Sequence, residues 1–169
     1  MLAQTVESFQ KLDGIARKLG LMGDDDSYAT QVSWWPLIAV LGTFSAGKST
    51  FLNEYIGQTL QRTGNQAVDD KFTVICYGKG EQTTLPGLAL DSDPRFPLYR
   101  ISQEIASVAR GEGRRVDSYL QLKTCEAESL RNRIFIDSPG FDADQQRTST
   151  LLITDQIMDL SDLVLVFFD

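Results

Sequence analysis

Histidine is absent from the 169-residue chain, and cysteine occurs only twice, at Cys76 and Cys125. Two isolated cysteines and no histidine do not provide the ligand spacing of a zinc site, so no zinc centre is expected. The pair also lacks the spacing of a disulfide framework. The interpretation that remains is two reduced thiols in a cytosolic protein.

Long apolar runs and an excess of positive charge are missing as well. No apolar run is long enough to span a bilayer. The first residues, Met1 to Glu7, lack the basic region and the apolar core of a signal peptide. The net charge is -7, and no basic stripe is visible, so nucleic acid is not expected as a partner.

What is present indicates one globular domain preceded by a helical segment. Apolar residues make up 42% of the chain, which is typical of a soluble domain of this length. The apolar residues between positions 2 and 20 recur at helical spacing and predict a helix with one packing face. We therefore assign residues 1–33 to an N-terminal helical segment that packs on, or extends from, a domain spanning residues 34–169.

Within residues 34–169, predicted strands alternate with predicted helices. Apolar and β-branched runs predict strands at 37–42, 72–77, 119–125, 133–137 and 163–168, and helical spacing predicts helices at 48–56, 101–110 and 148–160. The 119–125 strand alternates and is predicted to be half-exposed, with a hairpin plausible between it and the next strand. The 163–168 run is typical of a strand buried on both faces of a parallel sheet.

The remaining stretch, 78–97, is rich in proline and is predicted to be a loop, with one short strand near Leu88–Leu90. The overall pattern predicts an α/β fold: a three-layer sandwich with a mostly parallel sheet.

A phosphate-binding loop follows the first strand. Residues 42–49, "GTFSAGKS", match the pattern G-x-x-x-x-G-K-[ST] in full, with a buried strand before them and a helix after them. The glycines let successive backbone N–H groups turn towards phosphate oxygens. The three-layer sandwich is therefore predicted to be of the P-loop NTPase type. The nucleotide-binding residues predicted here are Gly42, Thr43, Phe44, Ser45, Ala46, Gly47, Lys48, Ser49 and Thr50.

Two side chains of this loop have specific chemistry. The Lys48 ammonium is placed to lie between the β- and γ-phosphates, and the Ser49 hydroxyl is a hard oxygen ligand for Mg²⁺. A second motif, "DSPG" at 137–140, follows an apolar strand. Asp137 at the end of that strand can hold Mg²⁺ through water. Gly140 offers a backbone N–H suited to sensing a γ-phosphate.

Three blocks in this order resemble a known family. "FSAGKSTFLN" from Phe44, "DSPG" from Asp137 and "LSDLVLVFFD" from Leu160 resemble the N-terminal GTPase region of the dynamin superfamily. The resemblance is strongest to bacterial dynamin-like proteins and to EH-domain ATPases, and it extends over residues 34–169. It implies a GTPase that converts GTP to GDP and phosphate with Mg²⁺, forms a homodimer through its G domain and acts in membrane remodelling.

The resemblance also implies roles for individual residues. Ser45 and Lys48 would be catalytic, with Ser45 helping to position the attacking water and a monovalent cation. Ser49 and Asp137 would be the Mg²⁺ ligands, and Gly140 would contact the nucleotide. Phe141 stands where Ras-like GTPases keep a catalytic glutamine, so water would be positioned by other groups. The protein would be cytoplasmic and peripheral to a membrane, which it would bind through parts outside this chain.

Two departures from the family pattern keep alternatives open. The stretch 66–70 lacks the threonine that relatives offer to Mg²⁺. Thr63 or Thr73 could substitute, although Thr73 falls inside a predicted strand. Asp69 or Asp70 could also meet the Mg²⁺, or these two residues form a solvated turn. The chain also reaches Asp169 without the base-reading motif of GTPases, so we expect a truncated domain or a fragment. ATP use, as in EH-domain ATPases, and a pseudo-GTPase that dimerises without turnover therefore remain as alternatives.

Overall fold

A computed structural model of the chain describes residues 2–24, 26–28, 35–61, 71–93, 96–140 and 148–168. Its α-helices are α1 (Leu2–Lys18), α2 (Lys48–Ile56), α3 (Leu88–Ser92), α4 (Ile101–Val108) and α5 (Thr148–Leu160). Its strands are β1 (Leu37–Gly42), β2 (Phe72–Tyr77), β3 (Thr83–Pro86), β4 (Leu120–Cys125), β5 (Ile134–Asp137) and β6 (Leu163–Phe167). Two 3₁₀ turns, Glu112–Ser118 and Glu128–Leu130, flank β4.

The six strands form one mixed sheet in the order β3-β4-β2-β5-β1-β6. β1 pairs in parallel with both β5 and β6, and β2 pairs in parallel with β4, whereas the β2–β5 and β3–β4 pairs are antiparallel. Asp162 secures the start of the β1–β6 pair, because its carboxylate accepts the Leu37 N–H at 2.8 Å and its own N–H donates to the Leu37 carbonyl at 2.9 Å.

Helices cover both faces of the sheet and give the three layers that the sequence predicts. On one face α2 packs Leu52 and Ile56 against Val40, Ile75 and Phe135. On the other face α3, α4 and α5 cover a larger core. That core includes Ala39, Val74, Leu90, Ile101, Ile105, Leu122, Ile136, Ile153 and Ile157. Alternate residues of each strand serve the two cores, as the pleat requires.

The predicted hairpin between the strands 119–125 and 133–137 is wrong. β2 lies between β4 and β5, so the two strands are neighbours in sequence but not in the sheet. The 119–125 strand is also not half-exposed: its polar residues Gln121 and Lys123 are buried, and they face the α2 side of the sheet.

Two further predictions about the sheet are corrected. The short strand is β3, and Leu88–Leu90 instead begins helix α3. β6 is an edge strand rather than a doubly buried one, and it leaves Leu163 50% and Val166 49% exposed. Val164 packs against the larger core and Leu165 and Phe167 pack against the α2 core, so both faces of β6 are partly covered.

Helix α1 buries Asp13 and Ala16 rather than its apolar residues Leu12 and Ile15. Leu12, Ile15 and Leu19 are half or more exposed. The Asp13 carboxylate instead accepts hydrogen bonds from the Ser27 hydroxyl and the Tyr28 N–H. Both bonds lower the pKa of Asp13, and the bond from Ser27 has the larger effect. The boundary between residues 33 and 34 lies outside the described residues, and the division of the chain there stays a prediction.

Both cysteines are free and buried, and burial raises the pKa of the Cys125 thiol. Of the helices in the described ranges, none combines the length and the apolar character needed to cross a bilayer. These ranges also hold no group of three or more metal-ligating acidic or cysteine residues.

Helix α4 offers a direct test of the larger core. Ile105 is fully buried, whereas Val108 on the same helix is 48% exposed. We expect Ile105→Ala to lower the free energy of unfolding by about 2–5 kcal/mol because it leaves a cavity. The control Val108→Ala should change it by less than about 0.5 kcal/mol. Urea unfolding measures both, and equal effects would contradict this placement of α4.

Candidate nucleotide-binding site

The parallel pairing of β1 and β5 brings the two sequence motifs together. Val40 is the register partner of Asp137, and the Ser138 N–H extends the ladder to the Val40 carbonyl at 3.0 Å. The phosphate loop leaves β1 two residues after Val40, and residues 138–140 leave β5 at the same edge. Carboxyl ends of parallel strands are where α/β sheets bind ligands.

Backbone conformation explains the glycines of the loop. Gly42 has φ 150°, and a Cβ placed there would lie 2.3 Å from the carbonyl oxygen of Phe167, its partner on β6. Gly47 has φ 88° and caps the N-terminus of α2. Ser45 adopts φ 62°, which is uncommon for a residue with a side chain and occurs often at functional sites.

The Lys48 side chain folds back over its own loop. Its ammonium is buried and donates to the carbonyl oxygens of Gly42 at 2.9 Å and Thr43 at 2.8 Å. An ammonium has three donors, and a buried one requires acceptors close by. The positive charge is thus held within the curl of the loop, at the N-terminus of α2, where anions bind.

The second motif touches the first through backbone atoms. A Cβ on Gly140 would lie 2.9 Å from the Phe44 Cα and 3.1 Å from the Phe44 nitrogen. Only a glycine permits this approach, so the sequence motif at 137–140 and the phosphate loop form one surface. The Ser138 hydroxyl beside them is buried and accepts no hydrogen bond within the described part of the chain.

Asp137 lies at the end of β5 and is buried. Its Oδ2 accepts a hydrogen bond from the Gln61 side-chain amide at 2.6 Å, and the Gln61 Oε1 in turn accepts one from the Lys123 ammonium at 2.6 Å. Asn53 of α2 holds Gln61 by its backbone, because its Oδ1 accepts the Gln61 N–H at 2.8 Å and its Nδ2 donates to the Gln61 carbonyl at 2.8 Å.

Sequence reasoning missed Gln61, Lys123 and Asn53. Two weak signals were available: a lysine inside an otherwise β-rich apolar strand, and an asparagine inside a helix, where its side chain competes for backbone hydrogen bonds. Gln61 had no signal of its own, since a glutamine in a polar stretch is ordinary.

The remaining predicted site residues differ in their exposure. Thr43, Phe44, Ser45 and Gly47 are exposed, as are Thr50 and Gly140, whereas Ala46 and Ser49 are partly buried. The Thr73 hydroxyl accepts the Gln121 amide at 2.8 Å within the sheet, as expected of a structural residue. Thr63, the stretch 66–70 and Phe141 lie outside the described residues.

Comparisons with known proteins agree with this geometry. The model of the Dynamin family matches residues 38–169. EH domain-containing protein 1 from Homo sapiens and from Bos taurus is 33% identical over 69 residues, which are 40% of this chain and 13% of that protein.

A solved structure gives the same fold. It is a chain of an oligomerised bacterial dynamin pair, described as providing a mechanism for long range sensing and tethering of membranes. It aligns over 78% of this chain with a TM-score of 0.50 and 18% identity. The present chain spans 22% of that chain and 13% of the EH-domain relatives. Because the family model matches more than half of its residues, the chain belongs to the dynamin family.

Proposed function

We propose that this chain is the nucleotide-binding part of a dynamin-type G domain that hydrolyses GTP to GDP and phosphate. The observation that carries the proposal is the contact between Gly140 and Phe44, which joins the second motif to a complete phosphate loop. In this reaction water attacks the γ-phosphorus in line, and the bond to the β–γ bridging oxygen breaks.

The residues of the loop supply binding and charge. The Lys48 ammonium exchanges the carbonyl oxygens of Gly42 and Thr43 for phosphate oxygens, which are stronger acceptors because they are charged. Gly140 lies against Phe44 of the loop, and its backbone N–H would donate to the γ-phosphate. These contacts favour a triphosphate over a diphosphate.

Mg²⁺ fits the donor set of the site. The Ser49 hydroxyl and the Asp137 carboxylate are hard oxygen ligands that come from the loop helix and the end of β5, respectively. Bound there with nucleotide, the ion would neutralise charge on the β- and γ-phosphates. Ser45 would help to hold the attacking water and a monovalent cation, the role that the family resemblance implies.

The wider roles follow from membership of the family. A homodimer through the G domain would complete the water-positioning groups. Membrane remodelling would use parts of the protein outside this chain, with the protein cytoplasmic and peripheral to the membrane. ATP use is the second candidate, because the EH-domain relatives are similar over 69 residues and the base-reading motif is not among these residues.

Titration with fluorescent GTP and ATP analogues, each with and without Mg²⁺, tests the site. We expect GTP to bind more tightly with Mg²⁺, and Lys48→Ala to weaken binding by at least about tenfold because a charge-assisted contact is lost. The control is Lys79→Ala, which removes an exposed lysine that belongs to neither the phosphate loop nor the 137–140 motif. This substitution should leave the nucleotide affinity unchanged.

Each other outcome of this titration changes the proposal. Tighter binding of ATP would replace GTP by ATP as the substrate. If GTP binds but a separate phosphate-release assay shows no turnover, the pseudo-GTPase is favoured. Equal affinities of wild type and Lys48→Ala would contradict the phosphate-loop site itself.

Ser45→Gly separates the hydroxyl from the backbone conformation. Glycine adopts φ 62° without strain, so nucleotide affinity and stability should persist. We expect phosphate release to fall by about 10²-fold if the hydroxyl positions water, the loss typical of one transition-state contact. Single-turnover phosphate release measures this rate, and an unchanged rate would remove Ser45 from the mechanism.

Gly140→Ala tests the contact between the motifs. The φ of Gly140 lies outside the left-handed region, so alanine is disfavoured there only by the approach of Phe44. We expect affinity for the triphosphate to fall by about tenfold and affinity for the diphosphate to change less. Gly14→Ala, where nothing lies within 4 Å, is the matched control. Equal triphosphate affinities of Gly140→Ala and wild type would contradict the contact.

A further inference from the structure

Three buried polar side chains from separate parts of the chain form a continuous hydrogen-bonded line beside the candidate site. The Lys123 ammonium donates to the Gln61 Oε1 at 2.6 Å, and the Gln61 Nε2 donates to the Asp137 Oδ2 at 2.6 Å. We call this line the polar bridge. Lys123 is 6% exposed, Gln61 4% and Asp137 6%, so solvent screens none of these contacts.

The chemistry of the two ends fixes the orientation of the amide between them. An ammonium only donates hydrogen bonds and an ionised carboxylate only accepts them, whereas a glutamine amide has one atom for each task. Its oxygen must face Lys123 and its nitrogen must face Asp137. The assignment therefore does not depend on telling the two amide atoms apart.

The backbone of Gln61 is held as firmly as its side chain. Asn53 makes three hydrogen bonds to this segment: its Oδ1 accepts the N–H groups of Leu60 and Gln61, and its Nδ2 donates to the Gln61 carbonyl. Lys123 adds a longer contact to the Leu60 carbonyl at 3.3 Å. Asn53 belongs to α2, the helix that begins at the phosphate-loop lysine. The amide that meets Asp137 thus starts from a point fixed to that helix.

A residue held in this way can set the direction of its partner. A carboxylate rotates readily about its last side-chain bond, and a fixed donor on one oxygen removes that freedom. Outer-shell donors of this kind orient metal-ligating carboxylates and contribute to metal affinity. The other end of the same amide accepts from the buried Lys123 ammonium, so an apolar side chain of similar length would fill the space but make neither contact.

We propose that Gln61 is a positioning residue for Asp137, fixed by Asn53 and Lys123, and that it raises the contribution of Mg²⁺ to nucleotide affinity. This inference rests on the proposed function, because it assumes that Asp137 serves a Mg²⁺–nucleotide complex. Gln61 does not touch the nucleotide and acts only through the carboxylate.

The test compares nucleotide affinity in Mg²⁺ with nucleotide affinity in EDTA. The probe is a fluorescent, non-hydrolysable GTP analogue, or its ATP counterpart if the chain prefers ATP, and the readout is the ratio of the two dissociation constants in the whole chain. We expect Gln61→Met to reduce this ratio by about tenfold or more, while affinity in EDTA changes by less than about threefold.

Gln121→Met is the matched control. Gln121 is also a buried glutamine on the α2 side of the sheet, and its amide donates to the Thr73 hydroxyl at 2.8 Å. The melting temperature of each variant measures how much stability the substitution removes. We expect both variants to lose stability and only Gln61→Met to lose the Mg²⁺ contribution. An equal loss of the ratio in Gln121→Met would overturn the positioning role.

Gln61→Glu gives an independent second variant. Glutamate keeps the length of the side chain and can accept from Lys123, but when ionised it offers no donor to Asp137. We expect it to reduce the ratio at least as much as methionine does, and it carries the test if Gln61→Met does not fold. A wild-type ratio retained in Gln61→Glu would overturn the inference.

The wild-type protein separates failure of this inference from failure of the proposed function. If Mg²⁺ does not raise nucleotide affinity in the wild type, the Mg²⁺ site of the proposed function and the role of Gln61 both fall. If it does so in the wild type and equally in Gln61→Met, only the role of Gln61 falls.

Discussion

The register between β1 and β5 determines where everything else in the site can be. Once Val40 stands opposite Asp137, the phosphate loop and the 137–140 motif must leave the sheet side by side. A parallel pair slipped by one residue would turn Asp137 to the other face of the sheet. Gly140 could then not reach Phe44. The buried apolar residues of both strands fix that register, so the geometry of the site depends on the two hydrophobic cores and not on the loops themselves.

The same register introduces charge into the interior. Asp137 shares its face of the sheet with Phe135 and is 6% exposed, a position that is costly for a carboxylate without partners. Lys123 on β4, one strand beyond β2, and Gln61 in the segment after α2 offset this cost through hydrogen bonds. No apolar side chain could donate to the Asp137 carboxylate as the Gln61 amide does, so the polar contacts of this carboxylate are built into the core rather than added at its surface.

How far the sequence predicts this structure depends on the range of the interactions involved. Helices α2, α4 and α5 and strands β1, β2 and β5 were predicted because periodicity and apolar runs are local. The hairpin between β4 and β5 was wrong because β2 joins the sheet between them, and such pairing depends on packing of the whole chain. The prediction of a half-exposed strand at 119–125 was wrong because alternation reports polarity and not exposure, and Lys123 on this strand is buried. The glycines of the loop were predictable because their chemistry is local, whereas Gln61 gains its role only by contact.

The phosphate loop and the Asp137 carboxylate depend on different numbers of structural elements. A phosphate loop needs little beyond its own backbone, the strand before it and the helix after it. The carboxylate at the end of β5 needs more, because its direction depends on side chains from β4, from α2 and from the residue at position 61. Asn53 links the two, since it sits on the helix that begins at Lys48 and holds the segment whose amide reaches Asp137. Two residues, Asn53 and Gln61, therefore connect α2 to the Asp137 carboxylate by direct hydrogen bonds.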